Sequence, residues 1–500
     1  MKKRVADFIA SYLANNGLNQ IFTVTGGGAM YLNDAFGHHP NLNCIYNHHE
    51  QACAMAAEGY ARLSGRTAVV CVTSGPGGTN ALTGVMGAWL DSIPMIIISG
   101  QMKLSTTIAS TTVPLRQLGF QEFNILDAVK CMTKYCAMVK KPKDIRYYLE
   151  KAKHIAENGR PGPVWLDIPL DVQGDQVDIE ELKKYHPGED SFLNISVPTQ
   201  EQIEHIVRKI KESKRPVILA GNGIRAAHAV EAFLKVVEKY RIPVVTAWNA
   251  HDLIHDANPL FAGRPGTIGT RGGNFVVQNS DLLISLGCRM NLRQISYEWK
   301  NFAKHAYKIA VDIDEGELRK PTLANDYSIH ADVKDVLNEL LNTDYVADEK
   351  LEDWIQWARD INQRYPVALE EYRQQYRSPI SPYIFMQELS QRLKGTDTVV
   401  ASNGTACVCG LQVIDIKDDM RMFTNAGASS MGYGLPAAVG ACIADRTRKI
   451  ICLEGDGSIQ MNLQELQTVV HHNLNMKIVW LNNDGYHSIR QTQCQVFNKK

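Results

Sequence analysis

The sequence carries no net charge, because its 53 basic and 53 acidic side chains cancel. Such a balance offers no global field to nucleic acid or to an anionic membrane, and neither is expected as a partner. No run approaches the roughly eighteen apolar residues that a bilayer span requires. Low-complexity tracts and short-period repeats are also missing, which sets aside disorder and fibre. The eleven cysteines include no CxxC pair and no zinc-type spacing; scattered through apolar runs, they read as core thiols of a reducing cytosol. A signal peptide is not expected either, since Lys2, Lys3 and Arg4 are followed by Asp7 and a helical apolar rhythm, so Met1–Gly17 reads as an amphipathic helix. What is there is a 500-residue chain, 45% apolar and 21% charged, with core enough for roughly three domains of about 150 residues. A cytoplasmic small-molecule enzyme is the class this leaves.

Short β-branched runs alternate with helical stretches, the pattern of parallel α/β sheets. Between Gln20 and Asp171, Thr67–Thr73 reads as a buried strand, Ser74-Gly-Pro-Gly-Gly-Thr79 as a turn, Asn80–Leu90 as a helix, Pro94–Ser99 as the next strand and Pro163–Ile168 as the last. The charged stretch Asp175–Val197 follows as a linker. A second block has strands at Pro216–Ala220, Pro243–Ala247, Asp281–Leu286 and Lys308–Ile313, with a helix near Ala229–Tyr240; a charged helical connector runs over Asp344–Ser378. The third block has strands at Thr398–Ala401, Lys449–Leu453 and Lys477–Leu481. The fold class is therefore α/β, three tandem doubly wound parallel-sheet domains at 1–174, 192–341 and 379–500. Only nineteen residues follow the last strand, so the third domain is expected to be short of its closing helix and strand.

Three sites carry chemistry. Glu454-Gly-Asp-Gly-Ser458 directly follows one strand, and Asn482-Asn483 ends the next. Each alone is ordinary turn chemistry, but both lie at strand C-termini, where α/β sheets bind ligands. An aspartate and an amide carbonyl there suit an oxygen-rich Mg²⁺ site beside a diphosphate. In Asn47-His-His-Glu50-Gln-Ala-Cys-Ala-Met-Ala-Ala57, Glu50 opens a helix that is otherwise small and apolar. It reads either as a first-turn carboxylate favoured by the helix dipole or as an acid kept in an apolar pocket for proton transfer; His48 and His49 read equally as caps. Finally, Pro216-Val-Ile-Leu-Ala-Gly221-Asn-Gly223-Ile-Arg-Ala226 is a strand followed by the dinucleotide fingerprint G-x-G-x-x-A. A dehydrogenase would place an acid about twenty positions on, and Thr246-Ala-Trp-Asn249 offers none. That leaves a vestigial fold or a flavin.

Gly455-Asp-Gly457 with Asn482-Asn483 resembles the motif of the thiamin-diphosphate (ThDP) superfamily, and the chain resembles its acetohydroxyacid synthase (acetolactate synthase) branch along all 500 residues. The strings that carry the resemblance are Gly26-Gly-Gly-Ala29, His49-Glu-Gln-Ala52, Ala57-Glu-Gly-Tyr-Ala-Arg62, Ser74-Gly-Pro-Gly77, Gly119-Phe-Gln-Glu122, Gly159-Arg-Pro-Gly-Pro163 and Met431-Gly-Tyr-Gly-Leu-Pro-Ala437. The resemblance implies that Asp456, Asn483 and the backbone carbonyl of Gly485 hold Mg²⁺. Pro76, Asn80, Asn403, Gly404, Gly457 and Ser458 would line the ThDP site, with Met431 propping the cofactor in its bent shape. Glu50 would be the acid at N1′ of the aminopyrimidine, Gly28 would lie near the substrate carbonyl, and Phe120 and Gln121 would face bound intermediates. Gly221, Gly223, Arg289, Asp312 and Asp332 match positions that hold FAD, which does no net redox work in that family. The family's active site takes Glu50 from one chain and Asp456 from another, so a homodimer or homotetramer is implied.

Arg293 matches the arginine that grips the carboxylate of the second keto acid. Two departures bear on that acceptor: the tryptophan expected nine positions after Asn483 is Thr492, and two acids between Arg289 and Arg293 are Asn291 and Leu292. The reading implied is a carboligase that decarboxylates a 2-keto acid such as pyruvate and passes the two-carbon unit to a carbonyl acceptor larger than pyruvate, as in family members that acylate a nucleotide-activated keto-sugar. A true acetolactate synthase, a simple 2-keto acid decarboxylase and an inactive ThDP-fold scaffold are the alternatives. A scaffold would be expected to lose Glu50 or Asp456, and both are present.

Overall fold

In a computed structural model that describes residues 2–375 and 380–498, contacts divide the chain into two compact units, Met1–Leu193 with Asn425–Lys500, and Asn194–Thr424. Met1, residues 499–500, the end of the connector and the start of the third domain at residue 379 lie outside the described residues.

The first unit opens with β1 (Lys2–Arg4), then β2 (Gln20–Thr23), β3 (Asn43–Tyr46), β4 (Ala68–Val72), β5 (Met95–Gln101), β6 (Tyr135–Met138), β7 (Pro163–Pro169) and β8 (Gln176–Asp178). Six of these form one sheet in the order β3-β2-β4-β5-β7-β6, every pair parallel. Alternation along the strands sends Val69, Cys71, Ile96 and Ile98 to one core and Ala68, Val70, Val72, Met95 and Ile97 to the other. Helices cover both faces, as the uninterrupted apolar runs of β4 and β5 require. At about 1.5–3 kcal/mol for each fully buried aliphatic side chain, these two layers supply the main stabilisation of the sheet.

Two expectations are corrected at its margin. Lys2–Arg4 is a strand, paired antiparallel with Gln176–Asp178, and the N-terminal helix is confined to Val5–Asn15. The supposed linker after Gly174 is thus partly sheet, because its polar backbone satisfies an edge that the helix periodicity of residues 1–17 concealed.

In the second unit β9 (Pro216–Ala220), β10 (Val244–Thr246), β11 (Leu282–Leu286), β12 (Tyr307–Asp312) and β13 (Tyr327–His330) make a parallel sheet ordered β10-β9-β11-β12-β13. The described part of the connector, residues 344–375, is more than a connector. The helix Glu352–Arg364 buries Trp354, Ile355, Ala358 and Ile361 in the core of this sheet, and Trp354 Nε1 donates to Pro216 O at 2.9 Å. Beyond it, β14 (Thr398–Ala401) pairs parallel with β15 (Arg421–Phe423).

The chain then returns to the first unit, where β16 (Ile450–Gly455) pairs parallel with β17 (Met476–Leu481) and a helix follows at His487–Phe497. Here the helix Gly434–Ala444 crosses Glu50–Ser64 at close range. A Cβ on Gly59 would lie 2.1 Å from Ala437 O, and one on Gly440 would lie 1.8 Å from Ala56 O. Only glycine at both positions lets the backbones approach so near. Within the same crossing Arg62 donates to Glu58 (Nε to Oε1, 2.9 Å) and to Asp91 (Nη2 to Oδ2, 2.5 Å), all three side chains buried. The string Ala57-Glu-Gly-Tyr-Ala-Arg62 is therefore a helix-crossing device: a glycine for contact and an i,i+4 ion pair sealed beneath it.

Candidate active site

The sheet order of the first unit reverses around β2, which opens a crevice beyond the carboxyl ends of β2 and β4. The segment 25–29 and the turn 73–77 line it. Gly28 N donates to Thr73 Oγ1 at 3.0 Å, and Gly28 O accepts from Gln173 Nε2 at 2.8 Å. A Cβ on Gly28 would come within 2.6 Å of Ser74 Oγ. Gly75 has φ +58°, and its Cβ would meet Gln121 O at 2.6 Å, so conformation and proximity both demand glycine. That contact sets the loop carrying Phe120 and Gln121 against the turn.

Glu50 is the first residue of the helix Glu50–Ser64 and is only 9% exposed. His49 is the helix cap, its Nδ1 accepting from Gln51 N at 3.1 Å. Glu50 Oε2 accepts from Asn80 Nδ2 at 3.0 Å, and Oε1 faces Gly77, where a Cβ would stand 3.6 Å away. One carboxyl oxygen is thus held, and the other looks over a glycine surface. Pro76 and Asn80 are exposed at the start of the next helix, Pro76–Leu90.

Phe120 is 80% exposed, and Gln121 is exposed with φ +61°. The neighbouring Glu122 is buried and anchors their loop: its carboxylate accepts from Ile108 N at 2.5 Å, Leu118 N at 2.7 Å and Gly119 N at 3.3 Å. Below it Gln101 Nε2 donates both to Phe123 O (2.9 Å) and to Asp167 Oδ2 (3.1 Å). Burial pushes the Asp167 carboxyl up to about 7, against the opposing hydrogen bonds from Ser99 and Gln101. Glu122 was visible only as the end of Gly119-Phe-Gln-Glu122, and nothing in the sequence distinguished Asp167 from an ordinary strand residue.

Elsewhere in the same unit, Asp456 follows β16. Its Oδ2 accepts from Asn483 N (2.9 Å) and Gly485 N (2.8 Å), and its Oδ1 from Gly457 N (2.8 Å). Burial alone would raise this carboxyl, but the three backbone donors hold it below the usual carboxylate range. It is an ionised hard-oxygen group with the Asn482–Gly485 turn wrapped around it, and Gly485, at φ +83°, lets that turn close. The Asn483 side-chain carbonyl lies at the entry of the following helix, accepting from His487 N at 3.3 Å. Among the described residues no group of three or more His, Cys, Asp and Glu side chains converges, so a cation here would draw on an amide and backbone oxygen, the donor set Mg²⁺ takes. The residues present fit that ion. Ser458 is buried, and its hydroxyl accepts from Gly432 N at 2.9 Å, which ties the half-buried Met431 turn to the Asp456 turn. Gly457 packs under Tyr486, whose ring a Cβ would reach at 3.0 Å.

The second unit holds the other expected residues. Asn403 precedes the helix Gly404–Val413, and Gly404 has φ +60° with open space beside it. The order β10-β9-β11-β12-β13 places a reversal at β9, with Gly221 and Gly223 after β9, Arg289 after β11, Asp312 ending β12 and Asp332 after β13. Gly223 N donates to Gly287 O at 3.0 Å, and a Cβ on Gly221 would lie 2.1 Å from the same oxygen. Those glycines therefore serve strand-end packing. Asp312 Oδ1 accepts from Asp314 N (2.9 Å) and Asp332 Oδ1 caps a helix through Lys334 N (2.8 Å). At the end of β10, buried Thr246 Oγ1 and Asn249 Oδ1 have no hydrogen-bond partner among the described residues, polar atoms that a ligand of dinucleotide type could satisfy. Arg293 is exposed on the short helix Leu292–Ile295, capped by Asn291, whose Oδ1 accepts from Gln294 N at 3.1 Å. In the first unit, Thr492 is exposed on His487–Phe497, and its hydroxyl donates along its own helix to Ser488 O at 3.0 Å.

A buried carboxyl over a glycine surface and, elsewhere in the same unit, an anionic hard-oxygen turn are the two features expected of a thiamin-diphosphate-dependent enzyme. Comparison with known proteins agrees along the chain. Residues 3–128 match the family profile "Thiamine pyrophosphate enzyme, N-terminal TPP binding domain", 203–340 its "central domain" and 402–500 its "C-terminal TPP binding domain". The chain belongs to the thiamine pyrophosphate enzyme family, and within it is an enzyme of acetolactate synthase type. It is 32% identical to the large subunit of acetolactate synthase isozyme 1 of Escherichia coli (strain K12) over 491 residues, which cover 98% of this chain and 83% of that one. It is 31% identical over 500 residues to the acetolactate synthase large subunit of Lactococcus lactis subsp. lactis (99% and 83% covered), and 33% identical over 500 residues to a probable acetolactate synthase large subunit of Methanococcus aeolicus (96% and 80% covered). No helix among the described residues is long and apolar enough to cross a membrane.

Proposed function

We propose that this carboligase uses ThDP and Mg²⁺ to decarboxylate pyruvate and joins the two-carbon unit to a carbonyl acceptor bulkier than pyruvate, a nucleotide-activated keto-sugar being the candidate. When bound, ThDP supplies the electron sink for loss of CO₂ and the nucleophilic carbon for transfer. The chain's own residues do the rest. Glu50 would serve as the acid at N1′ of the aminopyrimidine, with Asn80 holding its Oε2. Asp456, Asn483 and the Gly485 carbonyl would hold Mg²⁺ for the diphosphate, with Gly457 and Ser458 in the same turn and Met431 propping the cofactor; Asn403 and Gly404 are assigned to the diphosphate from the family resemblance alone. Gly28, Phe120 and Gln121 would border the substrate. The observation that carries the acceptor is Thr492, a small exposed hydroxyl where the resemblance calls for an indole. Losing an aromatic wall removes packing that would orient a small keto acid, and lost orientation lowers a bimolecular step.

FAD bound along the carboxyl ends of β9–β13, with Gly221, Gly223, Arg289, Asp312 and Asp332 at that edge and no redox role, is part of the same reading; the unpartnered Thr246 and Asn249 oxygens support it. So are a homodimer or homotetramer in the cytoplasm and domains at 1–174, 192–341 and 379–500. A second reading, acetolactate synthesis itself, is favoured by the relatives, which are acetolactate synthase large subunits; in that reading Arg293 would grip the second keto acid.

The test is product analysis by mass spectrometry after incubation with ThDP, Mg²⁺ and pyruvate, with and without keto-sugar nucleotides. Slow acetolactate formation, accelerated by Thr492→Trp, together with transfer to a keto-sugar, is expected. Fast acetolactate formation with no sugar transfer would overturn the acceptor assignment in favour of the second reading.

A further inference from the structure

Glu465 is fully buried, closing the turn Gln460–Glu465 that leads away from Asp456. Its Oε2 accepts from Asn47 Nδ2 at 2.8 Å and from Thr468 Oγ1 at 2.7 Å, and its Oε1 accepts from His48 N at 2.8 Å. From the same turn, fully buried Asn462 donates through Nδ2 to Gln51 Oε1 at 3.0 Å and to Gly432 O at 2.7 Å. The residues on both sides of Glu50 are thereby held by a segment more than four hundred positions away. Glu50 itself is touched from a different element, by Asn80.

We propose that Glu465 is a positioning residue for Glu50: it clamps the Asn47–His48 turn from which the Glu50 helix starts and so sets where the Glu50 carboxyl points. The inference rests on Glu50 being the acid at N1′. Three donors converge on two oxygens, and a carboxylate accepts at both, whereas an amide must turn an NH₂ toward one of the donors. A buried carboxylate is otherwise an expensive way to fill space. An apolar side chain would serve packing alone, so retaining three directional bonds at this turn fits a demand for placement. Placement matters at this point because a displacement of about 1 Å at a reacting group can lower a rate on the order of a hundredfold.

The experiment compares wild type, Glu465→Gln, Glu50→Gln and the double variant. It reads hydrogen–deuterium exchange at C2 of added ThDP, ThDP affinity, kcat and KM for pyruvate, and near-UV circular dichroism as a check on the fold. Glu465→Gln should slow C2 exchange and kcat by about tenfold or more with KM and ThDP affinity little changed. In the Glu50→Gln background it should add almost nothing, because two residues acting through one group are not additive. Equal losses in both backgrounds, or unchanged exchange in Glu465→Gln, would overturn the inference while leaving the Glu50 assignment standing. Normal exchange in Glu50→Gln would instead overturn that assignment. If Glu465→Gln does not fold, Thr468→Val, which removes one donor and keeps the shape, carries the same comparison: a smaller loss confined to the Glu50 background supports the clamp, and no loss overturns it.

Discussion

Replacing Arg62 by methionine keeps the length and apolar stem of the side chain and removes its charge. In the native protein the guanidinium lies between Glu58 (2.7 Å) and Asp91 (2.5 Å), and neither carboxylate has any exposed side-chain surface. Burial acts to lower the arginine's affinity for its proton, but the Glu58 and Asp91 carboxylates more than offset it and hold the guanidinium above its ordinary range. Burial already pushes Glu58 above its ordinary range with the arginine in place. Without it, Glu58 keeps Asn425 Nδ2 (3.0 Å) and Asp91 keeps the backbone N–H groups of Ala426 (3.0 Å) and Gly427 (2.9 Å) among its donors, but neither keeps a neutralising charge from the arginine. Removing one partner of a buried ion pair typically costs about 3–5 kcal/mol, a large part of the roughly 5–15 kcal/mol that a native protein has.

The sign of the pH dependence follows from Glu58. Where the folded state binds more protons than the unfolded one, stability falls as pH rises, and the stranded Glu58 of the variant is in that position. Its deficit against wild type should therefore be largest near neutrality and shrink as the pH falls toward the ordinary carboxylate range. Urea titrations followed by tryptophan fluorescence at several pH values measure both quantities. A loss below about 1 kcal/mol, the size of an exposed pair, or a deficit independent of pH, would refute the argument that this cluster is sealed from water.

Asp456→Ala should remove the hard-oxygen ligand and also strand the Asn483, Gly485 and Gly457 N–H groups that its carboxylate satisfies; ThDP affinity in the presence of Mg²⁺ is expected to fall at least about tenfold, and an unchanged affinity in a binding titration would take Asp456 out of the site. Asp167→Asn tests the carboxyl pushed up to about 7. Its folded pKa exceeds the unfolded one, so wild-type stability should decline as pH rises from about 4 toward 7 and level off above. Denaturation midpoints of the amide variant should lack that slope, and an identical slope in both proteins would show that Asp167 does not titrate there.

Much of the fold was legible along the chain because uninterrupted Val and Ile runs bounded by Gly and Pro have few alternatives to a buried parallel strand. Pro216–Ala220 and Thr398–Ala401 were read with the bounds the structure shows, and β4, β5, β7, β11 and β12 to within a residue or two. Strands β3, β6 and β13 were less legible: each is four residues long, at or near a sheet edge and only partly buried, so no apolar periodicity marks it. The same limit hid β1 and β8, whose pairing is between polar segments at opposite ends of a domain.

The candidate site divides along similar lines. Gly455-Asp-Gly457, Asn482-Asn483 and Glu50 announced themselves because their chemistry depends on residue type and local turn geometry, which sequence specifies directly. His49 could not be settled without the structure, since a cap and a ligand are the same residue until its Nδ1 is seen to accept from Gln51 N. Glu465, Asn462 and Asp91 gave no signal, and Glu122 gave one only as the last residue of Gly119-Phe-Gln-Glu122. Each is an ordinary polar residue in an ordinary helix, turn or loop: Glu122 gathers the N–H groups of its own loop, Glu465 and Asp91 accept from donors far away in sequence, and Asn462 donates across a similar distance. The helix crossing at Gly59 and Gly440 belongs with them: the glycines were visible, but the reason for them is a carbonyl oxygen on another helix. Sequence therefore determined the elements and the reacting groups, whose behaviour is local, while tertiary structure decided which buried carboxylates hold those groups in place, because a long-range hydrogen bond has no local signature in either of the segments it joins.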